Sequence, residues 1–167
     1  MKKFVRFKQI LSNLLSNAER RAFLLNKKEC RIRVSDLQAV IPAITGKIEL
    51  VYEGEQEGVT NVAKILLGKA VKTVFNKYFP VPDKRQKQSS QNNKYDELIN
   101  WFSGQKMISI NSYHSDRDYI KSLEGIKPLD NIVKEYFSGE TKNDFDFAVA
   151  KEFVLEALYQ SAFLSKF

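Results

Sequence analysis

The chain has 167 residues, enough for one ordinary domain or two very small ones, and 43% hydrophobic against 28% charged is a globular balance. No run approaches the roughly 18 to 20 apolar residues of a membrane span, and the basic start leads into an amphipathic helix, which points to a cytosolic protein with no membrane partner. One cysteine, Cys30, excludes an internal disulfide and a cysteine-rich zinc site, and the net charge of +7 is concentrated in residues 1 to 33, where ten Lys and Arg stand against two Glu.

Phe4, Phe7, Ile10, Leu11, Leu14, Leu15, Ala18, Ala22 and Leu25 recur at steps of three and four, which predicts a helix over about 4–25 with an apolar stripe and a basic opposite face. Asn26 and the Lys27–Lys28 pair supply its stop signal, with cations where the helix dipole favours them. Ser35 is the expected N-cap of a second helix carrying Asp36, Leu37, Val40 and Ile41. Pro42 is expected to kink or interrupt that helix and Gly46 to end it. Val59, Val62, Ile65, Leu66, Val71, Val74, Phe75 and Phe79 mark a longer third helix closed by Pro80 and Pro82. The polar run from Asp83 to Lys94 reads as a flexible loop.

Tyr95, Leu98, Ile99, Trp101 and Phe102 then sit on a short helix ended near Gly104. Ser115 is a candidate cap for a helix with Tyr119, Ile120 and Leu123, and Pro128 opens another with Ile132, Val133, Tyr136 and Phe137. Thr141 precedes a long final helix from Phe145 to Phe163 with Asp144 and Asp146 in its first turn. Only MISI, Met107 to Ile110, is strand-like. The expected fold class is all-α, seven or so helices with little or no sheet.

Two Gly-Lys pairs invite comparison with a P-loop, G-x-x-x-x-G-K-[ST], whose amides surround phosphates and whose hydroxyl holds magnesium. Gly46-Lys47 has Ile41 in place of the first glycine and Ile48 in place of the hydroxyl, and Gly68-Lys69 has Ala63 and Ala70. Neither is a phosphate cradle. Glu49, Glu53, Glu55 and Glu57 form the densest acidic cluster. In an extended segment Glu53, Glu55 and Glu57 would share one face, as a hard cation requires, but the EF-hand spacing is absent and no histidine is near. A solvated turn, or a pairing surface for the basic first helix, fits better, and no metal ligand is assigned. His114 and Cys30 lack any local nucleophile signature and read as structural or surface residues. Trp101-Phe102 and Tyr136-Phe137 read as core rather than as base-stacking platforms. The first helix carries its aromatics on the apolar stripe, so it suits packing on a core with its cations, Arg20 and Arg21 among them, turned to water or to a charged partner.

SNAERRAFL (Ser16 to Leu24), RVSDLQAVIPAITGKIELVYEGEQEGV (Arg33 to Val59) and AKILLGKAVKTVFNKYFP (Ala63 to Pro80) resemble, in this order and spacing, the C-terminal part of magnesium-chelatase-like AAA+ ATPases, relatives of the chelatase I subunit and of MoxR proteins. KEFVLEALYQSAFLSK, Lys151 to Lys166, is similar to that family's ending. The resemblance implies lid-like helices over 1–50 and a helical C-terminal domain over 51–167. It further implies that the phosphate-binding loop, the magnesium-binding acidic motif and the arginine finger lie upstream of Met1. The chain alone would then hold no cofactor, ATP and magnesium belonging to the parent family, and would not be an enzyme. Its expected partner is an ATPase core or like subunits, with Arg20, Arg21, Glu53, Glu55 and Glu57 as interaction residues. The family's nucleotide-sensing arginine is not carried over to Arg6, because MKKFVRFKQ departs from the pattern. Two other functions stay open: a small basic nucleic-acid-binding protein, and a hydrolase using His114.

Overall fold

The structure, a computed structural model, describes residues 2–46, 58–81, 95–104, 106–137 and 139–165. Every regular element among them is helical: α1 (Lys2–Leu24), a 3₁₀ helix (Val34–Val40), α2 (Ile41–Thr45), α3 (Val59–Tyr78), α4 (Asp96–Ser103), α5 (Asp116–Ser122), α6 (Lys127–Phe137) and α7 (Asp144–Gln160). The all-α expectation holds, and Met107 to Ile110 is not in a sheet. The chain divides into two compact units, Met1–Lys69 and Ala70–Phe167. The expected loop at 83–94 lies outside the described residues.

In the first unit, α1 stops as its sequence requires. Asn26 takes φ 52°, the left-handed conformation that asparagine tolerates better than most side chains. The Lys27 amide then donates to the Ala22 carbonyl at 2.8 Å and the Asn26 amide to the Phe23 carbonyl at 3.0 Å. This is a Schellman closure, which satisfies carbonyls that the helix end would leave bare. α1 packs on the 3₁₀ helix and α2, and Leu14 and Ala18 are among its covered apolar residues. Small residues dominate the core: Ala18, Val34, Val40, Ala43 and Ala63 are buried.

The predicted second helix differs from expectation. It opens at Val34 as a 3₁₀ turn capped by Arg33, not at Ser35. The Asp36 carboxylate reaches back to the Arg33 amide at 2.8 Å, the reciprocal half of a capping box, and this fixes the start two residues early. Pro42 falls in the first turn of α2, where its missing N–H costs nothing, and Gly46 ends that helix.

The second unit is built around α7. Phe145, Ala148, Ala150, Lys151, Glu152, Val154, Ala157 and Leu158 are all buried, so the helix is enclosed on most of its circumference. α5 and α6 pack on α7, and α4 packs on α6. Phe75 and Phe79 stack with centroids 4.7 Å apart, Phe75 also meets Tyr95 and Phe153, and Phe79 meets Tyr136 and Phe137. The Tyr95 hydroxyl donates to the Pro80 carbonyl at 2.7 Å, which fastens the start of α4 to the end of α3. Ser115 caps α5 as predicted, accepting from the Asp118 amide at 3.2 Å. The cap of α7 is Asn143, two residues beyond Thr141, accepting from the Asp146 amide at 3.0 Å.

Candidate functional site

Among the described residues, each unit contains one buried polar cluster. Asn13, Asn17 and Arg21 recur at i, i+4 and i+8 along α1, beside the apolar Leu14 and Ala18. Asn13 donates to the Ala39 carbonyl at 3.2 Å and Asn17 to Asp36 Oδ1 at 2.7 Å. Arg21 grips both Asp36 oxygens, at 2.6 and 2.8 Å, and Nη2 also reaches the Arg31 carbonyl at 2.5 Å. Asp36 thus accepts from Arg21, Asn17 and the Arg33 amide while only 1% exposed. Burial pushes its carboxyl up, but the hydrogen bonds from Arg21 and Arg33, the Arg21 charge and the Asn17 bond together outweigh that, and its pKa lies below the ordinary value.

This site is a clamp rather than a reaction centre. A bidentate guanidinium–carboxylate pair with its remaining lone pairs satisfied fixes one geometry, here α1 against the 3₁₀ helix. It also divides the pair of arginines expected to meet a partner. Arg21 is 6% exposed and engaged inside the unit, because it lies seven residues beyond Leu14 and three beyond Ala18 on the buried side. Arg20 is exposed, its contact being a long 3.5 Å approach to Asn17 Oδ1. Glu53, Glu55 and Glu57, with Glu49, lie outside the described residues.

Around the rest of α1 the surface is mixed. Leu11 and Leu15, one turn apart, are 41% and 38% exposed, and Phe23 and Leu24 are 84% and 56% exposed. Lys8 and Arg20 are exposed on the same helix, and Lys27, Lys28 and Arg31 in the segment that follows it.

In the second unit, Lys151 Nζ meets Asp130 Oδ1 at 2.5 Å and the Leu123 carbonyl at 3.0 Å, and lies 4.6 Å from the centre of the Phe147 ring. The adjacent Glu152 accepts from the Tyr119 hydroxyl at 2.6 Å. Both charged residues sit on the enclosed helix, so each needs an internal partner. His114 precedes Ser115, but the Ser115 hydroxyl donates to Asp118 Oδ2 at 2.7 Å and accepts the capping bond, so it is held as a helix cap. Cys30 is exposed. No three His, Cys, Asp or Glu among the described residues are grouped to hold a metal ion. No helix among them is long and apolar enough to cross a membrane.

Sequence reading missed Asp36 as a hub, placing it only as one residue of the second helix. The signal was present in Asn13, Asn17 and Arg21, three hydrogen-bonding side chains at four-residue spacing beside the apolar stripe. No family model, curated protein or solved structure matches the chain.

Proposed function

We propose that the chain is a non-catalytic, cytoplasmic binding module that acts by docking on another protein, and that this partner is a magnesium-chelatase-like ATPase core or a like subunit. The observation that carries the docking reading is the division of α1. One side is locked by the Arg21–Asp36 clamp, and the rest presents Leu11, Leu15, Phe23 and Leu24 together with Lys8 and Arg20. Leu11 and Leu15, one turn apart, form an apolar strip, and Phe23 and Leu24 lie further round the helix at its end; large apolar side chains left in water are what association would cover. The identity of the partner rests on the resemblance of the three quoted segments alone, and the all-helical fold agrees with it. A lid of this kind would move as a rigid body and couple nucleotide state to partner contacts.

The test is affinity purification of the tagged chain from its own cells, followed by identification of what is retained. Recovery of a P-loop ATPase in stoichiometric amount supports the proposal, and recovery of none removes the ATPase partner. A second reading, binding to a nucleic-acid backbone, is favoured by the exposed Arg20, Lys27, Lys28 and Arg31 near the end of α1. Four phosphate contacts would make affinity fall about a hundredfold between 50 and 200 mM salt. No binding at low salt would remove that reading.

A further inference from the structure

The segment Lys106–Asn111, KMISIN, has no part in the docking face. It runs without a turn or bend. Ile108 and Ile110 pack against the buried cluster of Tyr119, Leu123, Phe145 and Ala148. Lys106, Met107, Ser109 and Asn111 are exposed, Met107 at 80%. Burial therefore alternates with period two, the pattern of a strand with one face on a core and the other in water. Yet among the described residues no strand lies beside it, and Met107 to Ile110 make no backbone hydrogen bond. Backbone amides and carbonyls that the fold does not pair are open to water or to another chain, and an extended segment already seated on a core is a template for strand addition.

We infer that this segment is a pairing edge whose occupant is the same segment of a second copy, antiparallel about a two-fold axis at Ser109. Over the extended residues the sequence is self-complementary in that register: Met107 faces Asn111, Ile108 faces Ile110, and Ser109 faces itself. No like charges are opposed, and the β-branched pair keeps its isoleucines on the core side of both copies. A slip of one residue would set Ile108 against Ser109 and turn one copy's isoleucines to water. Packing of each strand on its own helices supplies the support that an isolated two-stranded ribbon lacks. So short a ribbon belongs to the weak, transient class of interface, and pairing grows with concentration.

The experiment uses the intact chain with Cys30→Ser, so that introduced thiols report alone. Directly opposed residues have Cα atoms about 4.5 to 5.5 Å apart, inside the range of about 4.4 to 6.8 Å that a disulfide spans. Ser109→Cys should give a covalent dimer on mild oxidation. Lys106→Cys should not, because in this register its two copies lie six residues, about 20 Å, apart. Sedimentation equilibrium should show a monomer–dimer equilibrium that Ser109→Pro abolishes with the helical circular dichroism unchanged. Equal crosslinking at both positions, a monomer at every concentration, or equal protection of the 107–110 amides in dilute and concentrated samples would each overturn the inference.

Discussion

Replacing Asp36 by alanine tests the clamp that organises the first unit. The substitution removes the acceptor shared by Arg21 Nη1 and Nη2, the Asn17 amide and the Arg33 N–H, all within 2.8 Å of the carboxylate, and leaves the guanidinium in the interior with the Arg31 carbonyl but without its counter-charge. Removing one partner from a buried ion pair costs about 3 to 5 kcal/mol, because the other charge stays buried. At 1.4 kcal/mol per decade, even the lower figure is about a hundredfold in the opening equilibrium. Hydrogen exchange of the α1 amides around Asn17 to Leu24 is the assay, since it reports opening of this helix. The effect should also depend on pH with a definite sign. The folded pKa of Asp36 is depressed, so its contribution is whole above the unfolded value of about 3.9 and is lost as pH falls through the folded value. Wild type and Asp36→Ala should therefore begin to converge only as pH falls below about 4. Arg20→Ala, on the exposed side, should change stability by less than about 0.5 kcal/mol. Unchanged α1 exchange in Asp36→Ala at pH 7 would refute the reasoning.

Three further outcomes follow from the same geometry. Tyr119→Phe removes the hydroxyl that Glu152 accepts from in the interior, and urea denaturation should show a loss of about 1 to 3 kcal/mol. Asn26→Gly should be neutral or stabilising by a few tenths of a kcal/mol in the same assay, whereas Asn26→Val, which forces a β-branched residue into φ 52°, should cost about 1 kcal/mol or more. Gly125→Ala meets open space but keeps φ 76°, so backbone strain alone should cost about 1 kcal/mol.

Local signals carried much of the fold, and tertiary partners set what they missed. The end of α1 at Asn26 and the cap at Ser115 were legible because each depends on one residue's own conformational preference or hydroxyl. The 3₁₀ helix was not, because over seven residues its period is hard to tell from that of an α-helix. Its start is also fixed by a carboxylate whose other partners, Asn17 and Arg21, lie 19 and 15 residues earlier. Lys151 and Glu152 look in sequence like the solvated side of an acid-capped helix. They are buried because α7 is enclosed by its neighbours, a circumstance its own periodicity does not encode. The strand-like character of Met107 to Ile110 was legible as alternation, and the structure retains the alternation with no partner strand among the described residues.

Isothermal titration of the intact chain into a purified magnesium-chelatase-like ATPase core, with ATP and with ADP, tests the central proposal most directly. The account predicts saturable binding that Leu15→Glu weakens at least about tenfold, or about 1.4 kcal/mol, while helical content and melting stay unchanged. Absence of binding in both nucleotide states, or equal binding by wild type and Leu15→Glu, would contradict it.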